Sequence, residues 1–141
     1  MGYRLKDIKR LRQEAEAAGL ERSALLRKHR NAKLQRICNG IGPEAFPHWA
    51  RRVVTRLHPS LEAVAAIHDV EWHESDGSLR NFLASNRRFR RNGWRMAKWR
   101  YAWYDPRRYV VWRQARRFAR LCTLFGWPHW RAAHPQQKDT P

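Results

Sequence analysis

The chain is poor in cysteine, in acidic residues and in long apolar runs, and each shortage removes a class of protein. Cys38 and Cys122 are its only cysteines. Two thiols cannot make a disulfide framework, so this is not a small oxidised scaffold, although a single Cys38–Cys122 bridge is left open. No run of about 18 apolar residues occurs, which leaves no candidate for a helix crossing a membrane. Met1 to Arg12 alternates charges with single apolar residues, unlike a secretory leader. Lys6 stands where acylation of Gly2 would require Ser or Thr. The expectation is a protein that stays in the cytoplasm or is packed into a particle there.

The acids are as telling. Only 12 Asp and Glu oppose 30 Lys and Arg among 141 residues, for a net charge of +18. Such an excess predicts an anionic partner: an anionic phospholipid surface, nucleic acid or an acidic protein. Eight Trp residues suit both a membrane interface and base stacking. With 43% hydrophobic residues the chain can build one modest core.

Strand signals are nearly absent, no repeat is visible, and the periodicity is helical throughout, so the fold class expected is all-α. Leu5, Ile8, Leu11 and Ala15 make one stripe over residues 4–18, which Gly19 stops. A second helix is expected over 21–37, completing a basic hairpin over 1–37. Cys38-Asn39-Gly40-Ile41-Gly42-Pro43 forms a tight loop. Residues 47–57 resume a helix with Trp49, Val53 and Leu57 at i, i+4 and i+8, and His58-Pro59 interrupts it. Helix 61–73 presents Leu61, Val64, Ala65, His68 and Trp72 on one face. A turn at 75–78 leads to helix 79–91, with Leu79, Phe82, Asn86 and Phe89 on one face and Asn92-Gly93 to end it. The core segment is thus 38–93. An Arg- and Trp-rich helical segment follows over 94–133, with Pro106 opening a helix 106–125, and 134–141 is a loose tail.

Between Ala84 and Leu121 thirteen Lys or Arg accompany a single acid, Asp105. Arg113, Arg116, Arg117 and Arg120 lie at i, i+3, i+4 and i+7, one face of one helix. The opposite stripe is Val111, Ala115, Phe118, Cys122 and Phe125. On a lipid surface, Trp94, Trp99 and Trp103 would be the anchors.

Chemistry concentrates at His68-Asp69. Neighbouring helix positions point about 100° apart, so His68 would face a packed helix while Asp69 faces the loop at 38–43. Calcium accepts about six to eight oxygens and mixes carboxylates with backbone carbonyls, which a Gly-x-Gly turn can aim inward. Asn86, between Phe82 and Phe89, needs a polar partner, and the far nitrogen of His68 would supply it. Two plainer readings stand beside this one. His68 could be an ordinary core histidine over a glycine turn, and His68, Asp69, His73 and Glu74 could bind a transition metal.

Cys38-Asn39-Gly40-Ile41-Gly42-Pro43, Ile67-His68-Asp69-Val70-Glu71-Trp72 and Ser85-Asn86-Arg87-Arg88-Phe89 together resemble the phospholipase A₂ superfamily, especially its short, cysteine-poor bacterial and phage-borne members. The resemblance covers residues 36–92. It implies an antiparallel helix pair with extra basic helices at both ends, and calcium-dependent ester hydrolysis on anionic lipid surfaces. His68 would be the general base, and Asp69 with the carbonyls of Cys38, Gly40 and Gly42 would hold Ca²⁺. Asn86 stands where the family has an Asp that orients the histidine, and Trp72 where it usually has a Tyr. The amide brings no charge to stabilise an imidazolium. Asn86 therefore also raises the alternative of a non-catalytic particle protein on the same scaffold, binding nucleic acid or acidic partners through residues 84–121.

Overall fold

A computed structural model of the chain describes residues 3–38, 40–41 and 47–135, with only the backbone of His48. Among these residues the fold is all-helical: α1 (Leu5–Ala17), α2 (Ala24–Lys28), α3 (Asn31–Ile37), α4 (His48–Leu57), a 3₁₀ turn (Pro59–Leu61), α5 (Glu62–Glu74), α6 (Leu79–Arg100), α7 (Pro106–Phe125) and α8 (Trp127–Ala133).

Three residues of the stripe on α1, Ile8, Leu11 and Ala15, are buried as their spacing predicts, whereas Leu5 in the first turn is exposed. Gly19 adopts φ +61°. The amides of Gly19 and Leu20 return to the carbonyls of Glu16 and Ala15, which closes the helix in a Schellman motif. The expected single helix over 21–37 is instead two, α2 and α3, because His29 and Arg30 are extended. Arg12 of α1 explains the break. Its guanidinium donates to the carbonyls of Leu26 (2.6 Å) and His29 (2.5 Å) and to Asn31 Oδ1, satisfying carbonyls that a continuous helix would have used.

Helix α5 is the central element, and every residue from Glu62 to His68 is buried. It lies antiparallel to α6, since Trp72 meets Phe82 while His68 meets Phe89. Ser78 caps α6 by accepting from the Asn81 amide at 3.2 Å. The expected end at Asn92-Gly93 is not there, and α6 continues to Arg100. Both residues serve packing. A Cβ on Gly93 would fall 2.1 Å from the Ala115 Cβ, so glycine is what lets α7 approach. Asn92 accepts from the Glu21 amide (2.7 Å) and donates to the Glu21 carbonyl (3.0 Å), pinning the end of the N-terminal hairpin.

Helix α7 folds back along α6, with Trp94 against Trp112 and Tyr101 against Arg107. Its predicted stripe is partly right: Val111 and Ala115 are buried, Phe118 and Cys122 half-buried, but Phe125 is exposed and Ala119 takes a core position. The stripe on α4 faces the other way from expectation. Trp49, Val53 and Leu57 are exposed, while Arg51 is buried. The docking face of α4 carries Thr55, whose Oγ1 accepts from the Ile41 amide at 2.9 Å. One core cluster takes residues from α1, α5, α6 and α7 alike. Both cysteines are free thiols, and no helix is long and apolar enough to cross a membrane among the described residues.

Candidate functional site

The α5–α6 interface brings His68 and Asn86 together. His68 Nε2 lies 2.9 Å from Asn86 Oδ1, both residues being buried. The same ring nitrogen receives the indole N–H of Trp72 at 3.1 Å, one turn further along α5. Phe89 closes the site with its ring edge-on to His68 at 5.2 Å, and Trp130 of α8 packs at 5.0 Å against Trp72.

These two contacts make opposite demands on one atom. An indole N–H only donates, so Trp72 requires a lone pair on Nε2. Asn86 Oδ1 only accepts, so it requires a proton there. Asn86 Nδ2 is buried with no partner among the described residues. A half-turn of the amide exchanges its O and N and makes the two demands alike: Nδ2 and the Trp72 indole N–H then share the single Nε2 lone pair. That leaves an under-satisfied carbonyl in place of an orphaned N–H and an N–H facing an N–H, which is the cheaper arrangement. In it the imidazole proton sits on Nδ1. The nitrogen that would have to take a proton from water is then itself a donor.

Charge reinforces the point. Burial holds the His68 pKa down at about 4. A carboxylate at position 86 would favour the imidazolium, whereas the amide supplies no charge. Asp76 offers no substitute. It accepts from the Ser78 amide (2.9 Å) and from Asn81 Nδ2 (2.7 Å) at the start of α6.

Asp69 is half-buried on the neighbouring face of α5. It acts electrostatically on Tyr3, Cys38 and Cys122. Burial first, and Asp69 second, push the Cys122 thiol up to about 11 and raise that of Cys38 further. Cys38 Sγ donates to the Ala66 carbonyl at 3.7 Å, which ties the loop to α5 one turn before Asp69. Gly40 has φ +94°, and a Cβ there would fall 2.8 Å from Thr55 Oγ1. Of the four residues expected to ligate calcium, Cys38 thus lies within electrostatic reach of Asp69, Gly40 lies against Thr55 of α4, and Gly42 lies outside the described residues. Of the residues in the transition-metal alternative, His73 is exposed and Glu74 Oε1 is 2.5 Å from His29 Nε2, and no group of three His, Cys, Asp or Glu is placed to hold a metal among the described residues.

Comparison with known protein families, curated proteins and solved structures finds no match to this chain.

The basic surface divides in two. Arg113, Arg116, Arg117 and Arg120 are all exposed on α7 and make no ion pair with an acid among the described residues. Trp99 and Trp103 are exposed near the α6–α7 turn. Trp94 is not exposed as a lipid anchor would be. It is half-buried in the seam, with the Arg108 guanidinium 5.1 Å and the Lys98 ammonium 5.7 Å from its ring centre.

Two features escaped the sequence reading. Glu71, one residue before Trp72, is a buried carboxylate that pairs with Arg88 and with Arg22 (3.1 Å) and accepts from Ser85 Oγ (3.1 Å). Its position at i+3 from His68 was the available signal. The other is a cationic groove between α6 and α7, hidden by ending α6 at Gly93.

Proposed function

We propose that this chain is a non-catalytic binding protein built on a phospholipase A₂-like helix pair, and that its α6–α7 face holds a phosphate-bearing partner. One observation carries the first half: the indole N–H of Trp72 lies 3.1 Å from His68 Nε2 and claims the lone pair there. The two departures from the phospholipase pattern then act together. Trp in place of Tyr donates to the histidine, and Asn in place of Asp can join that donation, so Nδ1 carries the proton. A buried imidazole with a pKa near 4 also resists protonation. The exposed Arg face of α7 supports the second half.

The test is hydrolysis of phosphatidylglycerol vesicles with millimolar calcium. Wild type is expected to release no fatty acid above background while still binding a polyanion. Calcium-dependent release by wild type would overturn the non-catalytic reading.

The proximity of His68 to Asn86 and of Asp69 to the Cys38 loop favours a second reading, a weakened calcium-dependent hydrolase. In it Asp69 and the carbonyls of Cys38, Gly40 and Gly42 would hold Ca²⁺, which would polarise an ester carbonyl. His68 would draw a proton from water through Nδ1, with Nε2–H donating to Asn86 Oδ1. On this reading Asn86→Asp raises turnover and Asp69→Ala removes calcium binding.

A further inference from the structure

Helices α6 and α7 line an open groove of about 240 Å³ that does not include His68. Its α6 wall carries Arg90, Arg91, Arg95 and Lys98, and its floor is formed by Trp94 and Trp112. The one acid lining it is Glu21. Glu21 makes a two-pronged pair with Arg91, both contacts at 2.8 Å, and lies 3.6 Å from Arg95. These cations hold its carboxyl below the usual range. Glu21 therefore engages Arg91 and Arg95 and leaves Arg90 and Lys98 to meet a ligand.

The Trp rings already have partners. Arg108 and Lys98 stand by Trp94, and the Arg116 guanidinium lies 4.9 Å from the centre of Trp112. Cation–π contacts of this kind fix the charged ends in place before a ligand arrives. They also occupy the aromatic faces, so the groove is not arranged to stack bases or to sink Trp into a bilayer. The cations recur turn by turn along α6, a rise of about 5.4 Å each time. A row of fixed cations in a concave seam matches a linear polyanion better than a flat bilayer.

We infer that this groove seats the phosphodiester backbone of nucleic acid, without regard to base sequence, through Arg90 and Lys98 of its lining, with Arg108 and Arg116 beside its two Trp rings. The inference rests on the binding half of the proposed function and is independent of the state of His68. Recognition is of charge and spacing, so duplexes of different sequence should bind alike and affinity should fall steeply with salt.

The experiment is fluorescence anisotropy of labelled duplex DNA across a salt series, with the full chain. Arg90→Ala/Lys98→Ala removes two groove cations. Lys6→Ala/Lys9→Ala removes the same charge from exposed positions on α1. Circular dichroism confirms that both variants keep wild-type helicity. The groove variant should bind on the order of tenfold more weakly at moderate salt, and its log–log salt slope should be shallower by about 2. The α1 variant should retain most of the wild-type affinity and slope. Equal weakening in both variants would mean diffuse attraction and overturn the groove while sparing the binding reading. Wild type that ignores duplex DNA but sediments with phosphatidylglycerol vesicles would overturn nucleic acid as the partner. Failure to bind either would overturn the binding reading as well.

Discussion

Helix α6 has two faces with opposite fates. Toward α5 it presents Phe82, Ser85, Asn86 and Phe89, all buried. Toward solvent and α7 it presents Arg90, Arg91, Arg95 and Lys98, all exposed. The first face holds the residues that look catalytic, yet packing shuts them in: Trp72 and Phe89 lie against the histidine, Trp130 backs Trp72, and desolvation keeps the ring neutral. The second face reads as solvated charge, yet Lys98 stands by the Trp94 ring and Glu21 orders Arg91 and Arg95. On the proposed function, residue identity alone ranks the two faces in the wrong order. What a polar group can do depends on whether its partners leave it open to a ligand.

The sharpest way to break the buried face is at Glu71. Glu71→Ala takes from Arg88 its closer acid, with Glu21 remaining at 3.6 Å, and leaves Ser85 without its acceptor. We expect a loss of about 3–5 kcal/mol in urea unfolding, the usual cost of breaking a buried ion pair by removing one partner. A loss below about 1 kcal/mol would show that water replaces the carboxylate freely.

Next in size is the response to acid. His68 has its folded pKa depressed to about 4 from an ordinary value of 6.5. Between these values the unfolded chain binds the proton and the folded chain does not. Stability is therefore intact above about pH 6.5 and falls as pH drops toward 4, by on the order of 3 kcal/mol. Comparison of wild type with His68→Gln by denaturation at pH 7 and pH 4.5 isolates this effect. Equal acid sensitivity in the two proteins would place the loss elsewhere.

Gly93→Ala probes the boundary between the faces. The new methyl would overlap Ala115, and we expect a loss of about 1–3 kcal/mol from overpacking. Pairing it with Ala115→Gly should recover part of that loss, because the two sites share one contact. The smallest effect on stability belongs to the open face. Replacing Arg113, Arg116, Arg117 and Arg120 with Ala should leave the melting midpoint nearly unchanged, since exposed cations contribute little to folding. The same variant should bind polyanions more weakly.

The sequence made the helical class, the Gly19 stop, the start of α7 at Pro106 and the His68–Asn86 pairing legible, because each is a local pattern or a one-face spacing. Gly93 misled because a glycine that admits a neighbouring helix looks the same in sequence as one that ends its own. The break at His29-Arg30 depends on Arg12, seventeen residues before His29, and nothing local announces it. The outward stripe of α4 follows from which face docks on Gly40–Ile41, a tertiary choice that periodicity does not contain. At the site, pairing was readable but protonation was not. It turns on the direction of two N–H groups, and Trp72 counts there for its indole nitrogen rather than for its bulk.

The central claim is that His68 is held as a neutral imidazole with its proton on Nδ1. Nitrogen-detected NMR of histidine-labelled protein reads this directly from the two ring ¹⁵N shifts. The account predicts a protonated Nδ1 and an unprotonated Nε2 that stay constant from pH 7 down to about pH 5. A protonated Nε2, or titration of the ring near neutral pH, would contradict it and return His68 to the role of a general base.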